Sequence, residues 1–371
     1  MKYYIIAGEA SGDLHASNLI RELKRLDPDS IFRAWGGNRM QEQGAELVMH
    51  YRHMAFMGFV EVIKNLRTIL RFLKQCKSDI IRFKPDVVIL VDYPGFNFRI
   101  AEFAHGLGIK VFYYISPQVW AWKRSRVLQV KKWVDRMFVI LPFEKEFYKR
   151  SNVEVDFVGH PLLDAIENYN TTKVPSSLKS EDKRPVVALL AGSRKQEVNK
   201  MLPAMLAVVP NFPGYRFIIA GTSSVPASLY KNIIGSHNAE IITDQTYQLL
   251  STANAAIVTS GTATLETALF HVPQVVCYKG NWISVQIARQ LVKIEYISLV
   301  NLVMNQAVVS ELIQNEMNPE NLSRELGLLL NNSEAREKMI SNYKLMEIKL
   351  GGAGASARTA KLMWNILNHI E

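Results

Sequence analysis

Cysteine is scarce: only Cys76 and Cys277 occur in 371 residues. They lie far apart with no metal-site spacing, so a disulfide framework is excluded and a reducing compartment indicated. No run reaches the roughly 18 apolar residues that a membrane-spanning helix needs. The first apolar stretch, residues 3–7, is stopped by Glu9 and Asp13, which is not the build of a secretory leader. The dinucleotide fingerprint G-x-G-x-x-G and the Walker P-loop are also missing, which speaks against a nicotinamide enzyme and an ATPase. What remains is ordinary for a soluble globular chain of two or three domains: 48% hydrophobic and 21% charged residues.

Charge is unbalanced. The net is +10, and residues 1–165 hold 25 basic against 18 acidic side chains, the rest 19 against 16. Such asymmetry points to nucleic acid, an anionic membrane surface or a phosphorylated substrate, and a solvated basic face explains it as well. Trp120 and Trp122 are followed by Lys123, Arg124, Arg126, Lys131, Lys132 and Arg136. With no nucleic-acid-binding sequence pattern beside them, no nucleic acid partner is expected, and the tryptophans read as pocket or cleft lining.

The chain is organised around residues 87–97, VVILVDYPGFN. The apolar run reads as a buried parallel strand. Tyr93-Pro94-Gly95 then forces a turn. Asp92 therefore sits at a carboxyl strand edge, where open α/β sheets bind ligands. It reads equally as a general base and as a turn or helix cap. Residues 3–13 give another strand, a turn holding Gly8, Glu9, Ser11 and Gly12, and a helix from residue 14, the start of a Rossmann-like unit. Glu9 and Ser11 are expected in the same crevice as Asp92. Asp27-Pro28-Asp29 lies at the opposite, amino edge and reads as a turn, not a metal site.

Residues 54–74, MAFMGFVEVIKNLRTILRFLK, combine a broad apolar surface (Phe56, Met57, Phe59, Val60, Ile63 among it) with Lys64, Arg67, Arg71 and Lys74 at helical spacing. This is the pattern of a membrane-interface helix, and equally of a core helix with a solvated basic edge. Residues 166–184 are polar and read as an interdomain connection. The strand–turn–helix pattern then recurs at residues 186–209, with Arg194 in the turn. Residues 260–266, SGTATLE, open a later helix. N–H groups at such helix starts, with an arginine, hold phosphates without a metal. Ser260, Gly261, Thr262 and Ala263 are thus diphosphate candidates. Glu266 reads as a ribose ligand or as a capping-box partner. Asn301 is placed on a loop after residues 296–299, and residues 284–291 as an amphipathic helix.

Motifs in one order along the chain carry a family resemblance: GEASGD (8–13), FMGFVEV (56–62), VDYPGFN (91–97), SPQVWAW (116–122), LPFEKEFY (141–148), GHP (159–161), AGSRKQEV (191–198), SGTATLE (260–266) and VNLV (300–303). The chain resembles the lipid-A-disaccharide synthases, glycosyltransferases of the GT-B fold. The resemblance implies an α/β architecture of two Rossmann-like domains with parallel sheets facing across a cleft. Residues 1–165 form the acceptor- and membrane-facing domain, 166–184 the connection and 185–353 the UDP-sugar domain, with a last helix, 354–371, returning to the first. UDP-2,3-diacylglucosamine is the implied donor and 2,3-diacylglucosamine 1-phosphate (lipid X) the implied acceptor. The location implied is cytoplasmic, peripheral to the inner face of the inner membrane. The family's important acid falls on Asp92, its N-terminal Glu and Ser on Glu9 and Ser11, and its nucleotide residues on Arg194, Glu266 and Asn301. Gly95 stands where some members carry an acid. No metal and no cofactor is expected, and homo-oligomerisation is left open. The competing readings are another UDP-sugar enzyme of this fold, such as a UDP-N-acetylglucosamine 2-epimerase, and a non-catalytic membrane-surface protein.

Overall fold

The computed structural model describes residues 1–54, 66–117, 126–172, 182–280 and 295–370. The chain divides into two compact units: Met1–Glu167 with Leu350–Glu371, and Asn168–Lys349.

In the first unit the strands are β1 (Lys2–Ala7), β2 (Ile31–Gly36), β3 (Glu46–His50), β4 (Val87–Val91), β5 (Lys110–Tyr114), β6 (Arg136–Val139) and β7 (Asp156–Phe157). They pair in parallel in the order β3-β2-β1-β4-β5-β6-β7. In the second they are β8 (Val186–Leu190), β9 (Arg216–Gly221), β10 (Ala239–Thr243), β11 (Ala253–Thr259), β12 (Gln274–Tyr278) and β13 (Ser310–Ile313), in parallel order β10-β9-β8-β11-β12-β13. Helices connect the strands, as parallel pairing requires. Central strands β4 and β8 are buried along their whole length, the outcome of helices covering both sheet faces.

In each sheet the chain builds outward in one direction, then returns to start the other half. The reversal lies between β1 and β4 in the first unit and between β8 and β11 in the second. Ligands of open α/β sheets bind outside the strand ends at such switch points. Register aligns these ends: Ala7 pairs with Val91 and Val91 with Tyr114, while Leu190 pairs with Val258.

The last helix, Ala355–Leu367, packs on helix Ala10–Leu26 of the first unit. Its N-terminal N–H groups are held by the Asp164 carboxylate, which accepts from Gly354 at 2.6 Å, Ala355 at 3.1 Å and Ser356 at 2.7 Å. Arg358 donates to the carbonyls of Val158 and Gly351. A buried carboxylate and a guanidinium thus satisfy main-chain groups where the chain re-enters its first unit.

Three expectations need correction. Residues 166–172 belong to helix Leu162–Thr172 and are not an open connection: Ile166 is buried, and its apolar contact outweighs the polar composition. Asn301 lies in helix Leu299–Met304, not on a loop, because Ser298 caps that helix by accepting from the Asn301 N–H at 3.2 Å. The basic segment at Arg67 and Arg71 runs as helix Leu66–Phe83, past residue 74. Phe56, Met57, Phe59, Val60, Ile63 and Lys64, the two tryptophans and residues 284–291 lie outside the described residues.

Candidate active site

Asp92 follows β4 directly, at the switch point of the first sheet. Its backbone is left-handed (φ 44°), as is that of Tyr93 (φ 45°), and Ile115 after β5 has φ 66°. Such conformations cost about 1–2 kcal/mol per non-glycine residue and gather where a site over-determines the backbone. Here the determinants are visible. The Asp92 carbonyl accepts from Tyr113 Oη at 2.5 Å and from Asn97 Nδ2 at 2.8 Å, and the Asp92 N–H donates to Tyr114 O at 3.3 Å.

The half-buried Asp92 carboxyl is pushed up to about 7, first by burial and then by the nearby Glu9 carboxylate. A carboxyl that titrates near neutrality at a strand edge matches what proton transfer asks of a base. Gly8 is required beside it, since a Cβ there would lie 2.3 Å from the Tyr93 ring. Tyr93 Oη in turn donates to Met54 O at 2.7 Å, the last described residue before position 66. Gly12 lets its helix close on the sheet, where a Cβ would stand 3.2 Å from that of Ala7. Ser11 is exposed on the first turn of that helix.

Asp13, quoted in the GEASGD motif without a role, is buried. It accepts from the N–H groups of Gly37 at 2.8 Å, Arg39 at 3.2 Å and Met40 at 3.2 Å, fixing the turn after β2.

At the second switch point, Arg194 is the N-cap of helix Lys195–Leu206. Its Nη1 donates to Glu197 Oε1 at 3.2 Å, and Glu197 Oε2 accepts from Ser193 N at 3.0 Å. Ser224 Oγ, after β9, donates to Ser193 O at 2.9 Å, so two neighbouring loops are tied. Gly261 caps helix Thr262–Leu269 with φ 151°, and a Cβ there would meet nothing within 4 Å among the described residues. Gly261 and Thr262 are exposed and Ala263 half-buried. The Ser260 hydroxyl is committed to Ile297 O at 2.9 Å.

Glu266 accepts from Tyr247 Oη at 3.3 Å, and burial raises its carboxyl above the usual range. The Tyr247 ring packs against Phe270 at 5.2 Å and Tyr169 at 5.5 Å. Asn301 does not present its amide outward. Its Nδ2 donates to Val309 O and Glu311 Oε1, and its Oδ1 accepts from Val308 and Val309 N–H. With both donors and both lone pairs used, it orders the chain around Glu311, whose carboxylate also accepts from Ile297 and Ser298.

Helix Leu66–Phe83 buries Phe72, Leu73, Cys76 and Ile80 and exposes Leu66, Arg67, Leu70, Arg71 and Lys74. Leu66 and Leu70 are 46% and 52% exposed, one turn apart on the basic face. Among the described residues, no helix is long and apolar enough to cross a membrane.

A family model described as lipid-A-disaccharide synthetase matches residues 3–362. The chain belongs to that family. Lipid-A-disaccharide synthases from Trichlorobacter lovleyi, Syntrophus aciditrophicus and Coxiella burnetii are 38%, 39% and 35% identical to it, each over 98% of this chain and 97–98% of the relative. As a member of the family it is a glycosyltransferase of lipid A biosynthesis. Among solved structures, UDP-GlcNAc 2-epimerase from Neisseria meningitidis bound to UDP-GlcNAc aligns with TM-score 0.71 at 14% identity, over 98% of this chain and all of that one. The calicheamicin glycosyltransferase CalG4 aligns with TM-score 0.63 at 16% identity, over 99% and 98%. At such identities these two speak for the shared fold of two Rossmann-like domains and not for a shared substrate.

Proposed function

We propose that this synthase joins UDP-2,3-diacylglucosamine to 2,3-diacylglucosamine 1-phosphate, giving the β-1,6-linked lipid A disaccharide 1-phosphate and UDP. The observation that carries the mechanism is the Asp92 carboxyl, pushed up to about 7 at the β1/β4 switch point. Asp92 takes the proton of the acceptor's 6-hydroxyl. The oxygen forms a bond to the donor's anomeric carbon from the face opposite UDP, the bond from that carbon to the UDP oxygen breaks, and UDP leaves with the electron pair. The anomeric configuration inverts. General-base help of this kind contributes roughly 10² to 10⁴ in rate.

Arg194 and the helix start at Gly261, Thr262 and Ala263 meet the charge of the departing diphosphate. Glu266, steadied by Tyr247, accepts hydrogen bonds from the ribose hydroxyls. Arg194 has Glu197 as its partner, and a diphosphate, with more charge and more acceptor oxygens, competes for it. Glu9 sustains the raised titration of Asp92. The basic and apolar face of helix Leu66–Phe83 meets anionic headgroups at a membrane surface, consistent with acyl-chain substrates and peripheral attachment.

Mass spectrometry of products from the two diacylated sugars tests this reading, with and without EDTA. The expected outcome is a disaccharide 1-phosphate and equimolar UDP in both. Products only from UDP-N-acetylglucosamine, as its 2-epimer, would replace it with the epimerase reading.

A further inference from the structure

We propose that Asn97 and Tyr113 are positioning residues for Asp92, holding its carboxylate in place by gripping its main-chain carbonyl. This rests on the reading of Asp92 as the base. The two come from different elements: Asn97 from helix Pro94–Gly106, Tyr113 from β5. Both are fully buried, and both donate to the same oxygen, at 2.8 and 2.5 Å. A carbonyl has two lone pairs, so this one is saturated by side chains alone.

The expenditure is unusual. Asn97 Nδ2 also reaches Val91 O at 3.2 Å, while Asn97 Oδ1 is buried without a partner among the described residues. A buried acceptor left unmatched is costly. The amide is therefore retained for what its donor end does. Burial raises the Tyr113 hydroxyl well above its ordinary range, so it stays a donor at every working pH.

What the donors oppose is equally plain. Asp92 and Tyr93 are consecutive left-handed residues without being glycine. Left free, their shared peptide would rotate toward a commoner conformation. That rotation would redirect the Asp92 side chain from its present surroundings, and a carboxyl that regains water titrates nearer about 4.

The test is the pH profile of kcat/KM, with kcat at its plateau, for Tyr113→Phe and Asn97→Ala beside wild type, with UDP affinity and circular dichroism as controls. Tyr113→Phe keeps the ring and removes only the donor, which guards against misfolding of the alanine variant. The expected result is a kcat lower by about tenfold or more, with the acid limb moved down from about 7 by at least one pH unit and UDP affinity unchanged. An acid limb still near 7 in Tyr113→Phe, with kcat within twofold of wild type, would overturn the proposal. Asp92→Asn in the same series separates the two readings. If it is inactive while Tyr113→Phe is normal, only the positioning role falls. If Asp92→Asn turns over like wild type, the role of Asp92 falls, and this proposal with it.

Discussion

The turn after β4 and the turn after β11 hold corresponding places in two sheets of the same strand–turn–helix pattern and are finished differently. After β4, Asp92 is pinned through its carbonyl, and Tyr93, hydrogen-bonded to Met54, stands where a Cβ on Gly8 would fall. After β11, Gly261 has nothing within 4 Å of its Cβ position among the described residues, and it and Thr262 are exposed. The contrast belongs to these two turns and not to whole edges: Gly95 beside Asp92 is open among the described residues, and a Cβ on Gly192 after β8 would meet Glu197 at 2.4 Å. On the proposed reading the pinned turn serves proton transfer and the open one, with its main-chain N–H groups, the diphosphate.

The largest effect should come from Asp92→Asn, which is expected to cut turnover by about 10² to 10⁴ in steady-state assays. Next is pH. Because the folded carboxyl titrates near 7, the base is lost as pH falls through that value. The kcat/KM of wild type should therefore drop about tenfold per unit below it, toward roughly a hundredfold at pH 5. The stability sign is the reverse. A carboxyl raised from 3.8 in the folded state favours the fold below its unfolded value and loses that contribution as pH rises through about 7. Asp92→Asn should accordingly melt higher than wild type at pH 8 and equally near pH 3, as read by thermal denaturation.

At the other edge, Arg194→Ala should weaken UDP binding by about tenfold to a hundredfold in calorimetry, the value of a charge-assisted hydrogen bond or two. Replacing Arg67 and Arg71 with alanine should lower partitioning onto anionic liposomes by about thirtyfold, at roughly 1 kcal/mol per charge. The smallest pair probes the two turns directly. Gly8→Ala should cost about 1–3 kcal/mol of stability in chemical denaturation through overpacking against Tyr93, and Gly261→Ala a similar amount, about 1–3 kcal/mol, through its backbone conformation (φ 151°, ψ −162°).

Residues 87–92 were legible because a buried parallel strand and the turn that ends it both leave local marks. The same holds for residues 186–194. Strands β3 and β13 were missed: ELVMH is a half-buried edge strand and SELI is nearly so, and neither has an apolar run longer than three residues. Asn301 was misplaced because the run of residues 296–299 drew attention from Ser298, the helix cap within it. Tyr113 looks like any aromatic in a core strand. Its function depends on an oxygen 21 residues away in sequence, and no periodicity records that. Asp13 and Glu311 escaped for the same reason, since each carboxylate serves main-chain groups of a distant loop.

The most direct test of the account is to measure kcat and UDP affinity side by side in Asp92→Asn and Arg194→Ala. The account predicts that Asp92→Asn loses turnover and keeps UDP, while Arg194→Ala loses UDP affinity together with kcat and keeps the acid limb of kcat/KM near pH 7. Loss of UDP affinity in Asp92→Asn to the extent seen in Arg194→Ala would contradict the division of labour between the two edges.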